Sequence, residues 1–206
     1  VICLLIAYPL AYIMAQKGPQ KQSTMTMLIM LPMWMNFLLR TYSWMTILED
    51  YGLINTLITS LGLDPVQLIN TRGAVVLGMV YNFLPFMILQ INTSLCKMDH
   101  SLIEAAADLG ANKGQTFKRV ILPLSLPGVI NGITLVFLPA VSSFFIPKLL
   151  GGGQYFLIGN LIENQFITAG EWNFGSAISM IMAIVMMLMM MLVRNIEIKN
   201  RGGKED

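Results

Sequence analysis

Apolar residues along this chain fall into long runs, parted by segments rich in Gly, Pro, Asn and charge. A bilayer core about 30 Å thick is crossed by roughly 20 helical residues. The runs therefore predict spanning helices over 1–16, 24–48, 73–96, 121–145 and 173–194, the first of them truncated. The connectors are 17–23, 49–72, 97–120, 146–172 and 195–206. Two of them are patterned. Leu53, Ile54, Leu57, Ile58 and Leu61 repeat at helical spacing, as do Leu157, Ile158, Leu161, Ile162 and Phe166. Each predicts a short amphipathic helix at a membrane surface, the second interfacial or re-entrant. Gly151-Gly152-Gly153 lets the chain turn sharply before the second.

Composition agrees with this layout. The 206 residues are 55% hydrophobic and 12% charged, half the charge of a typical soluble domain. An all-α integral membrane protein is expected. Val1 lies inside an apolar run, and 1–16 has no basic leader or A-x-A site, so a longer natural chain with at least one more N-terminal helix is expected. Cys3 and Cys96 fall in or beside different spans, so neither a disulfide nor a zinc site is expected.

The net charge of +2 says less than its distribution. With 97–120 placed in the cytoplasm, Lys17, Lys21, Lys97, Lys113, Lys118, Arg119, Arg194, Lys199, Arg201 and Lys204 all lie inside. That is ten of the 13 basic residues, against Arg40, Arg72 and Lys148 within or beyond the membrane. Glu49, Asp50, Asp64, Glu163 and Glu171 fall outside. The C-terminal tail 195–206 is then cytoplasmic.

The 97–120 connector has internal structure. Ser101-x-x-Glu104 reads as a capping box, with the Ser101 hydroxyl accepting from the Glu104 N–H. A short helix then runs to Gly110, whose residue type suits a left-handed C-terminal position. Asn112-x-x-Gln115 reads as a second start, and Pro123 as the close of that helix and the beginning of the next span. Ala105, Ala106 and Ala107 allow close approach of another surface, while Leu102, Ile103 and Leu109 supply apolar area. Lys118 and Arg119 read as inside-facing topology signals.

Glu104-Ala105-Ala106, Asp108-Leu109-Gly110 and, after nine intervening residues, Val120-Ile121-Leu122-Pro123 resemble the EAA loop of ABC-importer permeases; Val120 stands where that pattern has Ile. The resemblance extends to Leu31-Pro32, Arg40-Thr41-Tyr42, Gly52 to Asn55, Tyr81 to Met87, Leu150-Gly151-Gly152 and Leu157 to Asn160. The chain is similar over nearly all of 1–194 to permeases of spermidine/putrescine importers. Trp172-Asn173-Phe174-Gly175 departs from the family's Trp-Pro-Phe-Gly. The resemblance implies the type I importer permease (MetI-like) helical bundle, with its N-terminal span missing or truncated here. It also implies a bacterial inner-membrane location, a cytoplasmic ATPase dimer, a second homologous permease and an extracytoplasmic binding protein as partners, with no nucleic acid. ATP and Mg would sit on the ATPase, leaving no cofactor here. The docking residues it implies are Glu104, Ala105, Ala106, Asp108, Leu109, Gly110, Leu122 and Pro123.

A polyamine is a flexible polycation, so its path should offer carboxylates, carbonyls and aromatic faces. Polar groups at membrane depth are candidates by default. Trp34, Asn36 and Tyr42, with Trp44 nearby, form one group, Tyr81, Asn82 and Phe83 before Pro85 a second, and Glu163 a third. Each has a plainer alternative: interfacial anchoring for Trp34, Tyr42 and Trp44, backbone satisfaction near Pro85 for Asn82, and solvation for the carboxylates. Arg40 is expected to pair with an acidic neighbour or to snorkel. Gly128-x-x-x-Gly132 permits close helix packing. Met180 to Met191 reads as lipid-facing or core filler, and the lone His100 as a solvated residue.

No G-x-x-x-x-G-K-[ST] loop is present, and no nucleophile–base pair can be argued, so ATP hydrolysis and catalysis are not expected of this chain. Import of another solute (iron, thiamine, sulfate or molybdate) is the nearest alternative function. A channel or assembly protein without an ATPase and an integral membrane enzyme are the alternatives from other classes.

Overall fold

The computed structural model describes residues 1–99, 101–155 and 157–202, with side chains as far as Asn195. His100 lies outside the described residues, as do the side chains of Lys199, Arg201 and Lys204. The described residues are helical throughout, with turns and no strands. The helices are α1 (Ile2–Ala15), α2 (Pro19–Met30), α3 (Phe37–Leu48), α4 (Leu53–Ser60), α5 (Arg72–Cys96), α6 (Ser101–Asp108), α7 (Lys113–Thr116), α8 (Leu122–Ser142), α9 (Phe145–Leu150), α10 (Ile158–Asn164) and α11 (Trp172–Gly202). Among the described residues three stretches are long and apolar enough to cross a membrane: Arg72–Cys96, Lys113–Ser142 and Trp172–Asn195. Ile2–Ala15 is apolar but shorter.

Three boundaries differ from the pattern-based expectation. The segment 24–48 is not one helix. A 3-10 turn at Leu31–Trp34 separates α2 from α3, and Asn36 restarts the helix by accepting from the Leu38 and Leu39 N–H groups at 2.8 and 3.5 Å. Pro32 has no N–H to continue the ladder, and Asn is a strong N-cap, so apolar composition alone hid the break. The second difference is at Pro123, which does not close a helix. The chain is helical from Lys113 to Ser142, and Phe117–Ile121 forms a π-turn in which the Leu122 N–H donates to the Phe117 carbonyl. A widened turn relieves the clash between a proline ring and the carbonyl four residues back. Lastly, α11 runs past Arg194 to Gly202, so the charged tail begins as a continuation of the helix.

The described chain forms two compact units. The first comprises Val1–Met30, Leu84–Val136 and the chain from Met189; the second comprises Leu31–Phe83 and Phe137–Leu188. The first unit has a core of Ala7, Ala11, Met14, Met87, Ile88, Ile91, Leu95, Ile121 and Val129. Gly128 and Gly132 set its closest helix contact. A Cβ at Gly128 would lie 2.3 Å from the Ser94 Cβ, and one at Gly132 would lie 2.6 Å from the Met87 Sδ. The small-xxx-small spacing therefore serves packing of α8 on α5 within this chain. Cys3 and Cys96, both in this unit, are free.

In the second unit α3 packs against α4 and α9, and α9 against α10. Asn55, almost fully buried, donates to the Val66 carbonyl at 2.9 Å and accepts from the Val66 N–H at 3.0 Å, tying α4 to the loop that follows. Gly52 is needed at the start of α4, because a Cβ there would lie 2.5 Å from the Ile47 carbonyl oxygen. The methionines of α11 are mostly exposed, Met182 being buried.

Candidate functional site

The segment from Asp99 to Pro123 builds a helix–turn–helix from bonds between near neighbours. The first cap differs from the expected box. Ser101 is the first helical residue, and its N–H donates to the Asp99 carboxylate at 3.0 Å. A carboxylate accepts more strongly than a hydroxyl and suits the positive helix end, so Asp99 takes the place assigned to Ser101. At the other end Gly110 has φ +79°. Its N–H donates to the Ala107 carbonyl at 2.9 Å, and the Ala111 N–H donates to the Ala106 carbonyl at 3.0 Å. This bond pair is a Schellman motif, which only a residue tolerant of the left-handed region closes cheaply. Two residues later the second box forms as its spacing predicts. The Gln115 N–H donates to Asn112 Oδ1 at 2.9 Å, and the Asn112 N–H donates to Gln115 Oε1 at 3.0 Å.

Helix α6 thus has two faces. Ile103 turns inward against the core of the first unit, and Ala106 is half-buried. Leu102, Ala105 and Leu109 are exposed at helical spacing, Leu109 at 89%, with Glu104, Ala107 and Asp108 also exposed. Leu122 and Pro123 are exposed at the start of α8. Behind α6 lies a groove of about 680 Å³ bordered by Leu95, Met98, Ile103, Ala107, Lys113 and Ile121.

The loop is anchored by residues that sequence reasoning passed over. The Phe117 ring, inside the π-turn, lies edge-on to Tyr8 at 5.8 Å and to Tyr12 at 5.4 Å. Ser125 Oγ donates to the Leu122 carbonyl at 2.9 Å, so its single proton is committed, and Tyr8 donates to Ser125 Oγ at 2.8 Å. Two tyrosines four apart on α1 put both rings on one helix face, which was the available signal.

The pathway candidates all lie in the second unit and differ in burial. Tyr81 meets Trp44 edge-on at 5.2 Å. Phe83 is buried, whereas Trp34 and Tyr42 are exposed. Asn36 is used as a helix cap. Asn82, 2% exposed, donates to the Gly78 carbonyl at 2.9 Å, one turn upstream of itself, and its Oδ1 is buried without a partner. The carbonyl freed by Pro85 belongs to Tyr81, four residues back, so Asn82 does not satisfy it. Among the described residues Arg40 has no acidic partner. It is 9% exposed, it donates to the Pro32 carbonyl at 3.1 Å, and its Nε is buried unpaired. The same Pro32 carbonyl also accepts from the Met35 N–H at 3.3 Å. An unpartnered buried polar group costs about 1–3 kcal/mol.

Glu163 is not a free carboxylate. Lys148 Nζ donates to its Oε1 at 2.5 Å. The two helices that carry this pair are held at their bases. Asn160 Nδ2 donates to the Phe144 carbonyl at 2.8 Å, and a Cβ at Gly159 would lie 2.6 Å from the Ser142 carbonyl oxygen. The Asn70 N–H donates to the Leu150 carbonyl at 2.9 Å, and Arg72 lies 5.6 Å above the Tyr155 ring. Among the described residues no cluster of His, Cys, Asp and Glu could hold a metal.

Residues 7–200 match the model of the family described as binding-protein-dependent transport system inner membrane component. The chain belongs to this family. The spermidine/putrescine transport system permease protein PotB of Haemophilus influenzae is 44% identical over 191 residues, 92% of this chain and 67% of that protein. Its namesake from Escherichia coli K12 is 41% identical over 192 residues, 92% of this chain and 70% of that protein. The inner membrane ABC transporter permease protein YdcU of the same organism is 32% identical. A crystal structure of a bacterial alginate ABC transporter, in complex with an alginate-bound periplasmic protein, contains a chain of the same fold. Its TM-score is 0.77 at 16% identity, over 92% of this chain and 70% of that one. The fold is therefore that of an ABC-importer permease, an inner membrane component of a transport system.

Proposed function

We propose that this permease-family chain imports polyamines as one subunit of an ABC importer. The carrying observation is 44% identity to a spermidine/putrescine permease over 92% of the chain. The helix–turn–helix from Ser101 to Pro123 supports the coupling role, because its outward face is apolar and unpartnered. In this reading that loop is cytoplasmic, and Leu102, Ala105 and Leu109 seat in a groove on the partner ATPase. ATP and Mg are held there, and this chain carries no catalytic group. A binding protein delivers the cargo from outside, and a second permease completes the path.

The mechanics follow from rigidity. Two caps and a Schellman turn make α6 and α7 a stiff bracket, and the helix continues from Lys113 to Ser142. A displacement imposed on α6 reaches α8 without a flexible joint, while Phe117, clasped by Tyr8 and Tyr12, carries it to α1. Such a rigid-body response suits alternating access. In this reading Glu163 is the carboxylate offered to the cargo, and the Trp44–Tyr81 pair offers aromatic faces.

The test is uptake of labelled spermidine and putrescine by cells that lack their own polyamine importer and express the complete transporter, with or without this subunit. Subunit-dependent uptake that unlabelled polyamine competes away is expected. An assembled, ATP-hydrolysing complex that takes up neither would discard polyamine as cargo and leave the family assignment standing.

A further inference from the structure

We infer that the Lys148 side chain is a tethered stand-in for the cargo's terminal ammonium, holding the Glu163 carboxylate until a polyamine displaces it. This rests on the polyamine reading above and adds to it a specific competitor within the site.

Glu163 is 14% exposed and Lys148 is 56% exposed. The carboxylate is thus largely withdrawn from water and needs a cation, while the cation that serves it remains accessible from solvent. A lone buried carboxylate is costly, and a paired one is tolerated. The lysine ends in a primary ammonium on a four-carbon stem, a compact point charge with three rotatable donors. A polyamine ends in the same group on a methylene chain. The two cations therefore offer Glu163 interchangeable partners, and exchange needs no buried intermediate without a counter-charge.

The surroundings favour exchange over a fixed brace. The bases of both helices are pinned independently of the ion pair. Asn160 and Gly159 seat the start of α10 on the Ser142–Phe144 corner. The end of α9 is held at Leu150, which is fully buried and accepts from the Asn70 N–H. Release of Lys148 then moves one side chain, not two helices. When cargo leaves, Lys148 returns and helps to expel it, so the residue sets both affinity and release.

The experiment uses the complete transporter, with this subunit at full natural length, in lipid nanodiscs for equilibrium binding of labelled putrescine and in proteoliposomes for turnover. Lys148→Met is expected to tighten putrescine binding roughly three- to tenfold, as befits removal of a half-exposed competing charge, and to lower the uptake turnover number. Lys148→Arg, whose planar fork grips a carboxylate bidentately, is expected to weaken binding. Glu163→Gln is expected to abolish the binding signal. The order of affinity is thus Met above Lys above Arg at position 148, a ranking that a structural brace would not produce. Equal weakening by Lys148→Met and Glu163→Gln would overturn the inference, because both would then only be breaking a strut. Uptake by the parent with no change in binding for any variant would overturn it and leave polyamine as cargo. A parent complex that hydrolyses ATP but neither binds nor imports polyamine would overturn both.

Discussion

The Ser101–Pro123 bracket and the α9–α10 corner are built in opposite ways. The bracket is made almost wholly of bonds spanning two to five residues: Asp99 to Ser101, Ala106 to Ala111, Asn112 to Gln115. Its outward face, Leu102, Ala105 and Leu109, is exposed. The corner is made of bonds spanning 15 or 16 residues, Lys148 to Glu163 and Asn160 to Phe144. It keeps its charged group withdrawn and already partnered. A surface that must be pushed gains from local stiffness, since each cap holds whatever the neighbouring helices do. A site that must open and close gains from one long-range contact, since that contact can be exchanged without unfolding an element.

The largest effect expected on this contrast is from Gly110→Pro. Proline cannot reach φ +79° and removes the N–H that donates to Ala107, so the turn should be destabilised by about 3 kcal/mol or more. Pull-down of the ATPase should be lost; retention would mean the turn is not what holds α6 in place. Gly128→Leu should come next. Its Cβ would meet Ser94 at 2.3 Å, and overpacking of roughly 1–3 kcal/mol should lower the melting temperature of the purified subunit. An unchanged melting temperature would show that α8 and α5 can part without cost. Leu109→Glu separates stiffness from surface. The side chain is 89% exposed, so the fold should tolerate it, yet ATPase co-purification should fall about tenfold or more as an apolar contact becomes a charge. Ala106→Trp should also block docking while leaving membrane insertion intact; equal ATPase pull-down by variant and parent would remove α6 from the interface. The smallest effect is expected from Asn112→Ala, about 1 kcal/mol through the lost cap, read as a small drop in thermal stability with coupling retained. Complete loss of ATPase-driven uptake in that variant would mean that α7 contributes more than stiffness.

The bracket was also far more legible. Gly110 and the Asn112–Gln115 pair could be placed from residue type and spacing, because their partners lie within one turn. Ser101 was assigned the cap that Asp99 holds, an error of two residues between neighbouring acceptors. Pro123 was read as a stop, when a π-turn upstream absorbs its ring and carries the helix on. The break at 31–36 was masked by apolar composition, though Pro32 and Asn36 marked it. The partners of Arg40 and Glu163 could not be read at all. The Arg40 bond depends on how the break at 31–36 places the Pro32 carbonyl, and the Glu163 bond on where α9 places an ammonium, and nothing in residue type records those positions.

Sequence alone determined that this chain is helical and membrane-embedded, that it resembles importer permeases, and that a capped bracket sits between two apolar helices. Those properties depend on composition, periodicity and bonds between near neighbours, which any conformation of the surrounding chain preserves. Tertiary structure alone decided that Phe117 lies against Tyr8 and Tyr12, that Arg40 rests on the Pro32 carbonyl, and that Lys148 holds Glu163. Those contacts exist only once separate elements are packed, because packing, not pattern, fixes which side chains come within reach of one another.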